Sequence, residues 1–470
     1  MTTLSDIGAG SEAERENRRI GVPMDLPATA APPRAARRPR GRRETYDFRP
    51  LNVARIVIWT AFALVLAVAP LVWTSGLSIT ILSQIGIAII ACLSYNMLLG
   101  QGGMLSFGHA VYTGLGTYFA IHALNMVSDG QLPIPVSLLP LAGGLGGMLI
   151  AVLFGYVSTK KSGTPFAMIT LGIAELIFAM SLMFSEFFGG EAGISANRVT
   201  GKPFLGITFG PATQVYYLIA LYTFACVAAM YAFTRTPLGR ILNAVRDNPE
   251  RVEFIGYDTQ RVRYFVFIIA GFFAGISGGL AALNFEIATA EVVGPARSGG
   301  YLLFTFLGGA TFFFGPIIGA VLMVLAFVLF SEFTKAWLLY LGLIFMFMVM
   351  YAPGGIASLI MMNLRVAAFG RLRTLWVSYL ALGVTALVVL LGAAAMIEMV
   401  YHLQLNVVLG DEVKFLGATL NARGVDSWFG AIFVLLTGLG LFEVARRHFL
   451  REWGETQEYI EKEMKRRETL

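Results

Sequence analysis

The feature that most constrains this chain is a series of apolar runs, each long enough to cross a bilayer as a helix. A transmembrane helix needs about 20 mainly apolar residues. Charged residues make up only 14% of the 470 residues, against about 25% in a typical soluble domain. The sequence therefore predicts an all-α polytopic membrane protein. Nine runs are long enough: 55–74, 77–99, 104–126, 134–157, 166–184, 213–233, 264–285, 376–400 and 428–446.

Basic residues set the predicted orientation, because cytoplasmic loops of membrane proteins carry an excess of lysine and arginine. The first fifty residues hold ten arginines and no lysine, and they lack the apolar core of a signal peptide. We expect 1–50 to be a disordered cytoplasmic tail that sets orientation or contacts anionic membrane lipids. Lys160 and Lys161, and the six arginines of 235–263, then also face the cytoplasm. Both termini are predicted to be cytoplasmic.

The region between 299 and 351 is ambiguous, and the orientation argument decides its number of crossings. If Arg365 and Arg373 are cytoplasmic, an odd number of crossings must separate them from the external segment after residue 285. A helix broken at Phe312–Gly319 satisfies this count. Each half of about 15 residues spans roughly 22 Å, too short for a ~30 Å hydrocarbon core. The sequence thus predicts about 10–12 transmembrane segments with a broken helix pair; a single kinked helix, or arginines on the outer side, are the alternatives.

Polar residues inside or beside the apolar runs are the candidate path residues. Intramembrane polar groups indicate functional sites unless they only cap or pair with neighbouring helices. Six glycines between Leu98 and Ala120 indicate close helix packing in the same region. We predict that one polar group at the start of the third run and another in the fifth run face a shared central cavity. The candidates are Asn96, Gln101, Ser106, His109, Thr164, Thr170 and Glu175.

The cytoplasmic loop 235–263 contains the clearest helix signals. Thr236 and Pro237 are typical of an N-cap and a first helical residue. Asn248 and Pro249 begin a second short helix, and Gly256 is expected to end it in a left-handed turn. An apolar stripe follows the first start signal at helical spacing. Its residues are Leu238, Ile241, Leu242 and Val245. We predict that this stripe seats in a groove of a partner protein; a helix pair lying on the membrane surface is the alternative.

Three stretches carry a resemblance to a known family. They are "LSYNMLLGQGGMLSFGHAVYTGLGTYFA", "GTPFAMITLGIAELIF" followed by "FGGEAGIS", and "TPLGRILNAVRDNPERVEFIGYDTQRVRYFVFIIAGFFAGISGGLAAL". Together with "FLGGATFFFGPIIGAVL" downstream, they resemble the LivM-type permease subunits of branched-chain amino acid ABC transporters. The resemblance spans roughly Leu77 to Pro353.

The resemblance implies an importer in a bacterial inner membrane. Its implied partners are a second homologous permease subunit, two ATP-binding subunits and a periplasmic solute-binding protein. The solute would be a branched-chain amino acid or a related amide, urea or carboxylate. The residues implied to couple the chain to its ATP-binding subunits are Leu238, Arg240, Leu242, Val245, Glu250 and Gly256, although Arg251 and Val252 stand where small residues are usual.

Domain boundaries follow from the resemblance and from charge. We expect a permease core at 51–360 with its coupling loop at 235–263, an additional two-span region at 361–447 and a charged cytoplasmic tail at 448–470. The additional region has few polar residues in its spans, so we expect it to pack on the outside of the core.

Competing functions need residues that the sequence lacks. No G-x-x-x-x-G-K-[ST] phosphate loop occurs, so we expect ATP to bind only on partner subunits and this chain to hold no cofactor or metal. A membrane enzyme would need a nucleophile with its base or a metal-ligand set. An ion-coupled secondary transporter, the main alternative, would need more intramembrane ionisable residues than Glu175 and His109. The excess of basic residues indicates topology and no nucleic-acid binding.

Overall fold

The structure is a computed structural model that describes residues 53–199, 208–405, 412–415 and 418–469. The predicted tail 1–50 lies outside these residues. By its contacts the chain divides into a unit ending at Ile58 and a unit from Trp59 to Leu470. The described part of the first unit is the start of helix α1, and all sites below lie in the second.

Helices make up most of the described chain, and two of them continue into irregular turns. A π-helical turn, Met97–Gln101, follows α2, and another, Ala326–Phe330, follows α11. The helices of six or more residues are α1 Val53–Val72, α2 Gly76–Asn96, α3 His109–Ser128, α4 Leu139–Ser158, α5 Thr164–Met183, α6 Ala212–Arg235, α7 Pro237–Asp247, α8 Pro249–Phe254, α9 Thr259–Phe285, α10 Pro295–Gly308, α11 Gly315–Leu325, α12 Trp337–Tyr351, α13 Gly355–Ala368, α14 Leu372–Leu405 and α15 Val425–Thr469. Two shorter α-helices are Ser185–Phe188 and Ser331–Phe333.

The membrane character predicted from the sequence is confirmed. Among the described residues, nine helices are long and apolar enough to cross a membrane, and a tenth span results if the bent pair α12–α13 counts as one. The axes of that pair differ by 49°. Helix α10 ends at Gly308 and α11 begins at Gly315, so the chain also breaks next to the predicted point. Helix α10 has only 14 residues, fewer than the ~20 that a spanning helix needs. The segment Gly315–Phe333 is one of the nine candidate spans, so the prediction that both halves are too short is wrong for the second.

Glycine lets α3, α4 and α9 pack with their backbones in contact. A Cβ atom placed on Gly116 would lie 2.6 Å from the Cα atom of Gly275 across the α3–α9 contact. One on Gly147 of α4 would lie 2.8 Å from the same Cα atom. Small residues at such positions are typical of membrane helices that associate closely. The glycines of α3 therefore form a packing face, as the sequence predicts.

Two loops are joined on the side of the bundle where α9 ends by a short strand pair and by the Arg198 side chain, and we call these contacts the clasp. Strand β1 (Ile194–Ser195) pairs antiparallel with β2 (Ile287–Ala288), with Ile194 opposite Ala288. The Arg198 Nε atom donates to the Phe209 carbonyl at 2.8 Å, and its Nη1 atom lies 3.6 Å from the Glu286 carboxylate. Arg198 also donates to the carbonyls of Leu283 and Asn284. These contacts hold the long loop after α5 against the end of α9.

The C-terminal helices α14 and α15 pack mainly against each other. Between them, strand β3 (Glu412–Phe415) pairs with β4 (Ala418–Asn421) in a hairpin. Glu398 of α14 accepts hydrogen bonds from the hydroxyls of Thr334 and Tyr340. Contacts between this pair and the rest of the chain are few, which agrees with an addition to the core. The boundaries at 361, 447 and 448 remain predictions.

Candidate functional site

A cavity lined by arginines lies between the π-helical turn after α2, helices α6 and α7, and the break before α11. This arginine cavity has a volume of about 430 Å³, and Arg235, Arg240 and Arg246 line it. Asn96 and Gln101 line it too, and their side-chain oxygens have no hydrogen-bond partner among the described residues. The structure thus brings two predicted path residues together with Arg240 of the predicted coupling set.

Three other predicted path residues, Ser106, His109 and Thr170, are buried around the start of α3. The Thr170 hydroxyl accepts a hydrogen bond from the Phe107 backbone N–H at 3.1 Å, and the Ser106 hydroxyl accepts one from the Gly108 N–H at 3.3 Å. His109 Nε2 lies 2.8 Å from the Ser94 hydroxyl. These contacts position the start of α3. Within the described ranges, no cluster of three histidine, cysteine or acidic side chains could hold a metal ion.

Thr164 and Glu175 lie on the outer surface of α5, where both are exposed. Within this chain they therefore lie apart from the third-run residues, and the shared central cavity stays a prediction. The reason is helix phase: Thr170 lies on the side of α5 that packs against α3, and Glu175 lies on the other side. Glu175 lies in an exposed stripe together with Met168 and Leu176. Such a stripe faces either lipid or a neighbouring subunit.

Helices α7 and α8 form as the sequence predicts. The Thr236 hydroxyl accepts a hydrogen bond from the Gly239 N–H at 3.2 Å, and the Asn248 side chain accepts one from the Arg251 N–H at 3.0 Å. Both residues are therefore N-caps. Gly256 follows α8 with a φ angle of +92°, a conformation that favours glycine.

The apolar stripe of α7 is buried in the chain itself, so the prediction that it seats in a partner's groove is wrong. Leu242 and Val245 are buried, and Leu238 is partly buried. The Leu242 side chain packs close to Gly102, in the segment after the π-helical turn. Arg246 donates a hydrogen bond to the Gly100 carbonyl. Helix α7 is consequently connected to the segment that carries Gln101, whereas Arg240, Glu250 and Gly256 are exposed.

The exposed apolar surface of the loop lies one helix further on, at the end of α8. Phe254 is 90% exposed, Ile255 is 71% exposed and Tyr257 is 46% exposed. We call these three residues the α8 patch. Large apolar side chains grouped on a surface indicate a contact with a protein or a membrane. The sequence signal was the pair of large apolar residues directly before Gly256, which the periodicity of α7 obscured.

Comparison with known proteins identifies the family. Residues 77–354, more than half of the chain, match the sequence profile described as "Branched-chain amino acid transport system / permease component". The high-affinity branched-chain amino acid transport system permease proteins LivM of Salmonella typhimurium and Escherichia coli are each 27% identical over 317 residues. These alignments cover 62% of this chain and 73% of each relative.

Sugar permeases also match. The galactose/methyl galactoside import permease protein MglC of Haemophilus influenzae is 25% identical over 259 residues, which is 53% of this chain and 75% of the relative. No solved structure matches the chain. The profile match, the relatives and the polytopic helical fold together show that this chain belongs to the family of branched-chain amino acid transport permeases, the membrane subunits of ABC importers.

Proposed function

We propose that this chain forms half of the membrane path of an ATP-driven importer in a bacterial inner membrane. A second homologous permease subunit would form the other half. A periplasmic binding protein would deliver a small polar solute, and two separate ATP-binding subunits would hydrolyse ATP, so that this chain binds no cofactor itself. Its basic loops, including 235–263, would face the cytoplasm with both termini.

The α8 patch is the observation that carries this proposal. It lies in a loop rich in arginine, and a few anchor side chains, often aromatic, provide most of the binding energy of protein interfaces. The exposed Arg251 on α8 suits the rim of such an interface, where charge steers association. We therefore assign the docking of an ATP-binding subunit to the α8 patch and to Glu250 and Gly256 beside it.

Helix α7 provides the connection from that docking site to the path. Its buried stripe and Arg246 hold it against the segment 100–103. A displacement of α8 by the ATP-binding subunit would therefore move the wall of the arginine cavity that Asn96 and Gln101 line. Leu238, Leu242 and Val245 keep a role in coupling through this internal contact.

The test is purification of the complete complex through an affinity tag on this chain. We expect ATP-binding subunits and a second permease subunit to co-purify. Reconstituted vesicles should take up solute only with ATP and with loaded binding protein, and an ATP-binding subunit unable to hydrolyse ATP should stop uptake. Uptake driven by a proton or sodium gradient without ATP would overturn the proposal in favour of a secondary transporter.

Glu175 gives a prediction about the path. A charged residue at the centre of a membrane helix costs at least ~2.5 kcal/mol when it faces lipid, so we propose that the exposed stripe of α5 faces the second permease subunit. Replacing Glu175 with leucine should lower ATP-driven uptake at least ten-fold while the complex still assembles. Met168→Leu on the same stripe removes no charge and serves as the control. Normal uptake by Glu175→Leu would mean that this stripe faces lipid.

A further inference from the structure

A second cavity lies at the other end of the bundle, next to the clasp. This hydroxyl cavity has a volume of about 210 Å³ and is bounded by α2, α3, α9 and the segment that leads into α10. That volume gives room for on the order of ten waters or one small organic molecule. Its polar lining consists of Thr113, Thr117, Ser277, Thr289 and Arg297, with the Tyr301 ring.

Arg297 is the charged group of this cavity, and the structure provides little to balance it. It lies in the first turn of α10 and is partly buried. Its Nε atom donates to the Tyr301 hydroxyl at 3.4 Å. The ion pairs found among the described residues do not include Arg297, and the nearby Glu291 is exposed. A guanidinium has five N–H donors, so four of them have no hydrogen-bond partner among the described residues, and the side chain lines the cavity.

Arg198 in the clasp provides a comparison, because it is an arginine whose partners lie within the chain. Its guanidinium donates to backbone carbonyls of Phe209, Gly210 and Leu283 and lies beside Glu286. Among the described residues, the contacts of the Arg297 guanidinium are with Tyr301 alone, its hydroxyl at 3.4 Å and its ring centroid at 6.0 Å. An ionisable group inside a membrane bundle costs free energy unless it is paired or serves a function. The difference indicates that the partner of Arg297 comes from outside the chain.

The hydroxyl groups of the cavity complement the arginine. The Thr113 hydroxyl donates to the Ala110 carbonyl at 3.1 Å, the Thr117 hydroxyl to the Gly278 carbonyl at 3.1 Å, and the Ser277 hydroxyl to the Ile87 carbonyl at 2.9 Å. Because each hydrogen is already used, these oxygens can offer only lone pairs to a ligand. Lone pairs accept hydrogen bonds from an ammonium group. Arg297, by contrast, can only donate, and a carboxylate is the acceptor that fits its planar fork.

We propose that the hydroxyl cavity is a solute-binding site for an α-amino acid. Arg297 binds the carboxylate, and Thr113, Thr117 and Ser277 accept hydrogen bonds from the ammonium group. Ile87, Ala281 and Val292, which also line the cavity, leave an apolar wall for the side chain. The inference rests on the proposed function and narrows its solute class, because urea, amides and sugars carry no carboxylate for Arg297.

A thiol introduced at Thr289 tests the site without any transport. Thr289 lines the cavity, is partly exposed and caps no helix through its side chain. The chain's own thiols, Cys92 and Cys226, are buried, and the parent complex without Thr289→Cys gives the background reaction. In the complete complex, a methanethiosulfonate reagent that carries a sulfonate should modify Thr289→Cys at least five-fold faster than one that carries a trimethylammonium group. Adding Arg297→Gln should abolish this preference, whereas Arg297→Lys should retain it.

Protection then tests the ligand. Saturating leucine should slow the modification of Thr289→Cys at least five-fold, and leucinamide, which lacks the carboxylate, should not. Arg297→Gln should remove the protection, and the surface variant Arg447→Gln should leave it unchanged. A charge preference that survives Arg297→Gln, or equal protection by leucine and leucinamide, would overturn the inference. Failure of the proposed function would instead be seen as absence of ATP-driven uptake in the unsubstituted complex, which these thiol measurements do not require.

Discussion

Replacing both Phe254 and Ile255 with aspartate is expected to abolish ATP-driven uptake while the chain still folds and inserts. The two side chains are 90% and 71% exposed, so the substitutions remove little internal packing. At an interface, loss of an apolar anchor costs about 2 kcal/mol or more, which is roughly 30-fold in affinity for each residue. Burying two unpaired carboxylates adds to that cost. The measurements are the amount of ATP-binding subunit that co-purifies and the rate of uptake.

The matched control for this substitution keeps the surface apolar. The double variant Phe254→Leu, Ile255→Val should co-purify its ATP-binding subunits and transport at close to the normal rate. If the aspartate variant also retains its ATP-binding subunits, the α8 patch does not bind them. A contact with the membrane surface would then explain why the patch is exposed, as in an amphipathic helix at a lipid interface.

Replacing Gly278 with valine is expected to prevent the permease from accumulating in folded form. A Cβ atom at this position would collide with the Thr113 carbonyl oxygen and lie 2.8 Å from the Thr117 backbone nitrogen. Both are backbone atoms of α3, so no side-chain rotation relieves the overlap. Overpacking typically costs 1–3 kcal/mol and occasionally more, a large part of the ~5–15 kcal/mol stability of a domain. The yield of monodisperse protein in detergent should fall several-fold.

Gly383 offers a control on a helix surface. A Cβ atom there would meet no atom within 4 Å, so Gly383→Val adds the same side chain without overlap and should leave the yield unchanged. Equal yields of the two variants would mean that α3 and α9 separate easily, contrary to the packing described above.

Local signals in the sequence predicted local structure well. The caps at Thr236 and Asn248 and the turn at Gly256 depend on residues within four positions of each other, so the sequence contains all the information that they need. The break between α10 and α11 followed from counting crossings, which uses only run length and charge. The family could also be predicted from the sequence, because its motifs occur in order along the chain.

Contacts between distant segments could not be predicted. The stripe of α7 is buried because residues 100–103, more than 130 positions earlier, fold against it. Arg198 contacts the end of α9, almost 90 residues away. Glu175 and Thr170 lie on one helix, and only the position of α3 decides which of them is buried. Arg297 stands among glycines and a proline before an apolar run, so its sequence context gave no reason to place it in a cavity.

The glycine contacts among α3, α4 and α9 constrain how this protein can move. Where two backbones touch directly, no layer of adjustable side chains lies between them, and sliding would bring peptide groups into collision. These three helices should consequently move as one rigid body during transport. The structural change of the cycle must then occur at their borders, where side chains provide the contacts and small shear motions are tolerated. Helix α7, whose Leu242 and Arg246 side chains contact the segment before α3, lies at such a border. A cross-link between α3 and α9 should therefore be compatible with turnover.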